Sequence, residues 1–173
     1  MDVLAKPAAS LDLGSSRFSM QHLSNLLWAG SGAPRPSADA SAPPAPVVRT
    51  ADVYVLLKAG AFLYDPSSHS LRPIVAQDIR GLVGLQDPRW RAPVTLVYVL
   101  DPTKGAPPGA APRELSAAMT AGTMAQNVSL YCASEGLSAS ERPVTNPRVL
   151  GRRLRLRSDQ RIVAAQVVGY PQR

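Results

Sequence analysis

A helical pattern of apolar residues runs from Glu114 to Leu137, ELSAAMTAGTMAQNVSLYCASEGL. Leu115, Met119 and Val128 are among its apolar positions, which recur at helical spacing. Gly122 lies in the middle and lowers the helix propensity there. The stretch nevertheless predicts the longest helix of the chain, placed centrally in the fold.

Four runs of β-forming residues accompany this helix. Val53–Leu57 is continuously apolar, and Ala61–Tyr64 follows it after a short Lys-Ala-Gly connection. This spacing is typical of a hairpin. Val94–Leu100 predicts a buried strand, and Ile162–Val168 predicts the last strand.

Three further segments carry helical spacing. Ser19–Ala29 predicts an amphipathic helix with Ser19 as its N-cap, and Asn146–Leu154 predicts a second short helix. Ile74–Leu85 also has apolar positions at helical spacing. Strands and helices neither alternate strictly nor separate, so we expect an α+β fold with a mixed, largely antiparallel sheet packed by helices.

The composition indicates one globular domain over residues 1–173. Of these residues, 45% are hydrophobic and 18% are charged, which is enough apolar material for a packed core. Residues 30–49 are rich in Pro and Ala. Because proline lacks a backbone donor and disfavours helix before it, we expect an irregular segment there.

Several site and location classes are excluded by what the chain contains. A single cysteine and two histidines cannot supply a four-ligand zinc site within one chain, so no metal is expected. No apolar run approaches the roughly 18 residues of a membrane span. Because the N-terminus carries no secretory or twin-arginine pattern, we predict a cytoplasmic protein without membrane contact.

The net charge of +7 indicates an anionic partner. Basic residues cluster near the C-terminus at Arg148, Arg152, Arg153, Arg155 and Arg157. Such a run binds phosphate or forms a solvated face whose stems cover apolar surface. The second interpretation is favoured and nucleic acid is unlikely, because aromatic residues do not interleave with the arginines.

No catalytic side chain is expected. His22 and His69 have no nucleophile motif beside them and are interpreted as surface residues, and Cys132 is interpreted as an inert buried thiol. Neither a G-x-G-x-x-G motif nor a Walker A loop is present. The amides of Gln126 and Asn127, in the long helix, either bind a ligand, bond a facing helix or point to solvent.

Several segments in one order resemble the nitroreductase family of flavin oxidoreductases. They are Leu23–Gly30, Phe62–Asp65, Ala121–Tyr131 with Glu135–Leu137 behind it, and Val167–Pro171. The resemblance implies a homodimer formed through the long helices, with FMN bound at the dimer interface. NAD(P)H would deliver hydride to FMN, which would reduce a nitro compound, a quinone or a similar small-molecule acceptor. Because a flavin carries this chemistry, no protein nucleophile is needed.

The same resemblance implies a set of cofactor-binding residues. The family's R-S-x-R loop corresponds to Gly14–Arg17, so Ser15 and Arg17 would hold the flavin phosphate, together with Arg153 from the C-terminal cluster. Gly14 replaces the first arginine of that loop. Gln126 and Asn127 would line the pocket.

A second family segment, of the type P-S-A-x-N-x-Q, corresponds to Pro43–Arg49. Pro44 and Val47 replace its Ser and Asn, while Arg49 replaces its Gln and would contact the flavin pyrimidine. Each ring-edge hydrogen bond left unmade costs roughly 1–3 kcal/mol. The alternative function is therefore a non-catalytic, cofactor-poor descendant of the fold that acts as a dimeric binding or partner protein.

Overall fold

The computed structural model describes residues 13–14, 18–31, 50–84, 92–104 and 113–171. Within these ranges the chain forms seven β-strands and three α-helices. The strands are β1 (Leu13–Gly14), β2 (Ala51–Leu57), β3 (Gly60–Asp65), β4 (Ser70–Val75), β5 (Val94–Leu100), β6 (Ser138–Arg142) and β7 (Arg161–Pro171). The helices are α1 (Met20–Ser31), α2 (Arg113–Ser134) and α3 (Pro147–Arg153).

The described strands form one sheet in the order β1-β7-β5-β2-β3-β4, and β6 also pairs with β7. Every pairing in it is antiparallel. Helices pack against this sheet, so the expected α+β architecture with a long central helix is confirmed. The predicted hairpin is β2 and β3, with Leu57 opposite Gly60.

Two hydrophobic cores lie on opposite faces of the sheet. Helices α1 and α2 cover one face, where Leu26 and Val128 pack with Val55 of β2. Helix α3 covers the other, where Leu150 packs with Leu56. Because side chains alternate along a strand, neighbouring residues of β2 enter different cores. This explains why β2 and β5 are continuously apolar.

The short helix α1 begins where its cap predicts. The backbone N–H of His22 donates to Ser19 Oγ at 3.0 Å, which confirms Ser19 as the N-cap. At the other end, Gly30 lies against α2, and a Cβ there would lie 2.7 Å from Val128 Cγ2. The absence of a side chain at Gly30 therefore permits the close contact of α1 with α2.

The long helix α2 begins at Arg113, one residue before its predicted start, and is unbroken at Gly122, but it ends at Ser134 rather than at Leu137. It ends because Gly136 adopts a left-handed conformation with φ of 68°. The N–H of Leu137 then donates to the carbonyl of Cys132 at 2.8 Å, the bond of a glycine-terminated helix end. The chain turns there into β6.

The predicted helix over Ile74–Leu85 is wrong. Ile74 belongs to β4, and a single 3₁₀ turn forms at Arg80–Leu82. Asp78 starts this turn, because its carboxylate accepts from the backbone N–H of Arg80 at 3.2 Å and from Arg80 Nε at 2.9 Å. Pairing with β3 therefore holds in a strand residues whose local pattern predicts a helix.

Strand β6 has no counterpart in the sequence predictions. Its residues, Ser-Ala-Ser-Glu-Arg, show no apolar alternation. They form a strand because the backbone pairs with β7, from Ser138 opposite Gly169 to Arg142 opposite Ala165. Strand β7 is also longer than predicted, running from Arg161 to Pro171.

One fully buried amide connects the sheet to α2. Tyr98 Oη donates to Gln166 Oε1 at 2.7 Å. Gln166 Nε2 donates to the carbonyl of Ala125 at 3.0 Å and lies 3.0 Å from Ser129 Oγ. These bonds offset the cost of burying the amide and fix the middle of α2 over the sheet.

The substitution Tyr98→Phe tests this connection. It leaves Gln166 Oε1 buried without its donor, so we expect the free energy of unfolding to fall by about 1–3 kcal/mol, measured by urea titration. Tyr54→Phe is the matched control, because the Tyr54 hydroxyl makes no hydrogen bond to a described residue. Equal losses in the two variants would contradict the role given to Gln166.

Candidate functional site

Three of the predicted cofactor ligands, Ser15, Arg17 and Arg49, lie outside the described residues. Their described neighbours are well anchored. Gly14 pairs with Tyr170 of β7. On the other side of the Ser15–Arg17 segment, Phe18 packs its ring against Tyr170 with a centroid separation of 6.0 Å.

An aromatic cluster borders the predicted phosphate-binding segment. Phe18, His22 and Tyr170 form it, with the His22 ring 6.0 Å from the Phe18 ring and 6.3 Å from the Tyr170 ring. His22 Nδ1 is buried and has no hydrogen-bond partner among the residues that the structure describes. A buried nitrogen without a hydrogen bond lowers the stability of the fold. A ligand that reaches His22 Nδ1 and bonds to it would recover that free energy.

Strand β6 carries polar atoms that lie away from this cluster. Ser138 Oγ, and both Nε and Nη2 of Arg142, are buried without a hydrogen bond to a described residue. Glu141, the neighbour of Arg142, pairs with Gln166, and Gln166 faces α2. Because side chains alternate along a strand, Ser138 and Arg142 face the other side of the sheet, on which α3 packs. The structure therefore does not bring them to His22 or to Asn127.

The predicted amides Gln126 and Asn127 lie on α2, where Gln126 is exposed and Asn127 is half-buried. Thr50, which follows Arg49 in the sequence, contacts the same helix: its Oγ1 lies 3.0 Å from Thr120 Oγ1. Thr120 and Asn127 are two turns apart, about 10 Å along α2. The structure therefore brings Thr50, the described residue that follows the 30–49 segment, to the helix face that carries Asn127.

Arg153 is not brought to this region. Its Nη1 lies 3.5 Å from Oε1 of Gln77, which follows β4. Helix α3 packs on the sheet face opposite α2, and β4 is five strands from β1, about 24 Å away. A phosphate held near Gly14 and Phe18 is therefore out of reach of Arg153 in the same chain.

The C-terminal arginines divide into two groups. Arg148, Arg152, Arg153 and Arg155 are exposed, in keeping with a solvated face. Arg157 instead donates to the buried carboxylate of Asp101 through Nη2 at 2.6 Å. Burial opposes the charged form of Asp101, but hydrogen bonds from Arg157 and Thr103 outweigh it and hold the pKa well below its usual range.

Sequence reasoning missed a hydrogen-bonded histidine. His69, interpreted as a surface residue, has its Nε2 2.6 Å from Ser24 Oγ and its Nδ1 2.7 Å from Tyr64 Oη. Ser24 is 45 residues away in the chain, so no local motif signals the contact. Cys132 is buried as expected, and burial raises the pKa of its thiol to about 12.

Among the described residues, no group of three or more His, Cys, Asp or Glu side chains is arranged to hold a metal ion. No helix in the described part of the chain combines the length and apolar character of a membrane span.

Comparison with known proteins now bears on this arrangement. The sequence model of the Nitroreductase family matches residues 14–170, nearly the whole chain. The chain belongs to the nitroreductase family. A candidate nitroreductase of Ralstonia eutropha JMP134 is 32% identical, with a TM-score of 0.76 over 99% of this chain and 82% of that one.

More distant structures share the fold of this nitroreductase-family chain. The E. coli microcin synthetase McbBCD complex, solved with truncated pro-MccB17 bound, gives a TM-score of 0.78 at 18% identity over 94% of this chain and 68% of that one. Nitroreductase A of Vibrio parahaemolyticus gives 0.68 at 18% identity over 99% and 67%. No curated protein sequence matches the chain.

The Asp101–Arg157 pair predicts a pH-dependent stability. Because the folded-state pKa is lowered, the stabilisation is complete above the unfolded value near 4 and is lost as the pH falls below it. Asp101→Asn should lower the free energy of unfolding by about 1–3 kcal/mol at pH 6, with the difference narrowing below pH 4 in urea titrations.

The exposed Asp159, 3.1 Å from Arg157, provides the matched control. We expect Asp159→Asn to change stability little at any pH, because exposed ion pairs contribute little. A gap between wild type and Asp101→Asn that stays constant down to pH 2.5 would contradict the assignment.

Proposed function

We propose that the protein is an FMN-dependent oxidoreductase that takes hydride from NAD(P)H and passes it to a nitro compound, a quinone or a similar small acceptor. The observation that carries the proposal is the buried Nδ1 of His22, which has no hydrogen-bond partner among the described residues. His22 packs against Phe18, which follows the predicted phosphate-binding segment, in a chain of this family.

The chemistry of this atom fits FMN. A flavin presents ring carbonyls, ring nitrogens, ribityl hydroxyls and phosphate oxygens, most of which accept hydrogen bonds. His22 Nδ1 donates to such an acceptor in one tautomer and accepts from a hydroxyl in the other. In this proposal Ser15 and Arg17 hold the phosphate. The chain's net charge of +7 favours the binding of this anionic group.

The remaining predicted ligands complete the proposed pocket. Arg49, which precedes the anchored Thr50, contacts the flavin pyrimidine, and Gln126 and Asn127 line the pocket from α2. Arg153 is left out, because it lies across the sheet. Bound FMN supplies the hydride chemistry, while these residues bind it, orient it and exclude water.

We further propose that the protein is a homodimer formed through α2. Leu115 and Met119 support this, because they extend from α2 with 55% and 66% of their surface exposed. Apolar side chains in that state on a long helix favour burial against a second copy. The use of NAD(P)H is consistent with a cytoplasmic protein. The cytoplasmic location stays a prediction.

A second function rests on a specific feature of the sequence. Pro44 and Val47 stand where the family segment has polar ring contacts. A chain that has lost these contacts would be a non-catalytic dimeric binding protein, with FMN bound weakly or not at all. Flavin uptake separates the two functions.

The first test is the visible absorbance spectrum after incubation with FMN and removal of free flavin. We expect a retained flavin spectrum that bleaches on addition of NADH or NADPH. A protein that stays colourless, and whose thermal midpoint FMN does not raise, would favour the non-catalytic function.

Two variants test the proposed ligands. His22→Phe should weaken FMN binding about tenfold, as expected for the loss of one hydrogen bond. Arg17→Ala should weaken FMN binding more at low salt than at high salt, because ions screen contacts with phosphate. Arg148→Met, at an exposed position of α3, is the control and should bind like wild type. Unchanged affinity in His22→Phe would remove His22 from the site.

Sedimentation tests the dimer. We expect a dimer at micromolar concentration and a shift toward monomer in Met119→Lys, because the charge would be buried at the interface. Met20→Lys, at an equally exposed methionine of α1, should remain dimeric. A monomeric wild-type protein would contradict the interface.

A further inference from the structure

Ser24, His69 and Tyr64 form a continuous hydrogen-bonded chain that the proposed flavin chemistry does not use. Ser24 lies on α1, Tyr64 lies in β3 and His69 lies in the turn between β3 and β4. The two distances are 2.6 Å from Ser24 Oγ to His69 Nε2 and 2.7 Å from Tyr64 Oη to His69 Nδ1. Both are within the range of short, well-formed hydrogen bonds.

This order of groups is that of a nucleophile, a base and an orienting group. A general base must lie within about 2.6–3.2 Å of the atom that carries the proton it takes. His69 Nε2 meets that condition, because it lies 2.6 Å from Ser24 Oγ. A base is effective when a third group holds its ring and tautomer. If Nδ1 carries the proton and donates it to Tyr64 Oη, the lone pair of Nε2 faces the hydroxyl of Ser24.

The imidazole is held firmly. Tyr64 is 3% exposed, so its ring is fixed in the core. The rings of Tyr64 and His69 meet edge to face, 5.7 Å apart at an interplanar angle of 87°. His69 also has a φ of 48°, a left-handed conformation that non-glycine residues adopt rarely and that often occurs at functional sites.

The surface around Ser24 suits an acyl compound. Met20 and Trp28 lie one helical turn before and after Ser24, so they flank it on the same face of α1. They are 69% and 51% exposed. An ester approaching Ser24 thus meets apolar side chains on both sides, and the Ser24–His69 bond itself lies at the surface.

We propose that Ser24 is an activated nucleophile that accepts an acyl group from an activated carboxylic ester. Ser24 Oγ forms a bond to the carbonyl carbon, and the bond from that carbon to the leaving oxygen breaks. The proton of Ser24 passes to His69 Nε2 and then to the departing alkoxide or phenoxide. The product is an acylated serine, and no oxidant or reductant is needed.

The same three side chains also connect the β3–β4 hairpin to α1, and a purely structural connection predicts no reactivity. Acylation therefore distinguishes the two roles. Because the backbone N–H of a residue within a helix is bonded along the helix, Ser24 lacks its own amide as an oxyanion donor. We accordingly expect slow acylation, at one acetyl group per chain, rather than rapid turnover.

The full chain is treated with p-nitrophenyl acetate, and acetylation is followed by intact mass and by peptide mapping. We expect the acetyl group on Ser24, none there in Ser24→Ala, and at least a tenfold slower rate in His69→Gln. Glutamine keeps the capacity to donate and accept but is not a base. Ser68→Ala is the matched control and should react like wild type, since Ser68 bonds Asp65 and Ser70 in the same turn.

Mapping of the wild-type protein keeps the test independent of whether any variant folds. Acetate found on lysines alone, or Ser24 acetylated no faster than Ser68, would overturn the proposal. Equal rates in wild type and His69→Gln, with unchanged thermal midpoints, would overturn the role of His69. None of these outcomes depends on flavin, so they leave the proposed oxidoreductase function untouched.

Discussion

The buried amide of Gln166 is the contact on which the remaining architecture depends. It receives a hydrogen bond from Tyr98 of β5 and donates to the carbonyl of Ala125 in α2, so one side chain connects two strands and the long helix. A fully buried amide tolerates only an arrangement that satisfies it. The position of α2 over the sheet follows from this constraint. The positions of Asn127 and of Thr120, which contacts Thr50, follow with it.

Another buried polar group of the same fold lacks such partners, and this contrast indicates function. Gln166 is satisfied within the protein and therefore supports structure. His22 Nδ1 is buried in the aromatic cluster and has no hydrogen-bond partner among the described residues. A buried polar atom without a hydrogen bond lowers the stability of the fold. A ligand that makes the missing bond restores this stability. The oxidoreductase proposal connects this cost to the flavin chemistry of the family to which the chain belongs.

Much of the fold was predictable because its signals are local. Val53–Leu57 and Val94–Leu100 are continuous apolar runs and became strands buried on both faces. Ser19 capped α1 as its residue type indicates. The failures also have one cause. Ile74 and Val75 carried helical spacing but lie in β4, where Val75 pairs with Ala61 of β3. Ser138–Arg142 carried no strand pattern but pairs with β7. Pairing energy comes from a partner strand distant in sequence, which a local pattern does not contain.

The order of the amino acids was therefore sufficient for the α+β class, for most helices and strands and for the family resemblance. These follow from periodicity, capping and the order of motifs, which are properties of neighbouring residues. The tertiary structure alone placed Arg153 away from Gly14, His22 Nδ1 in a buried position within the aromatic cluster, and His69 between Ser24 and Tyr64. Each of these depends on residues tens of positions apart meeting in space, and only packing of the sheet and helices sets such distances.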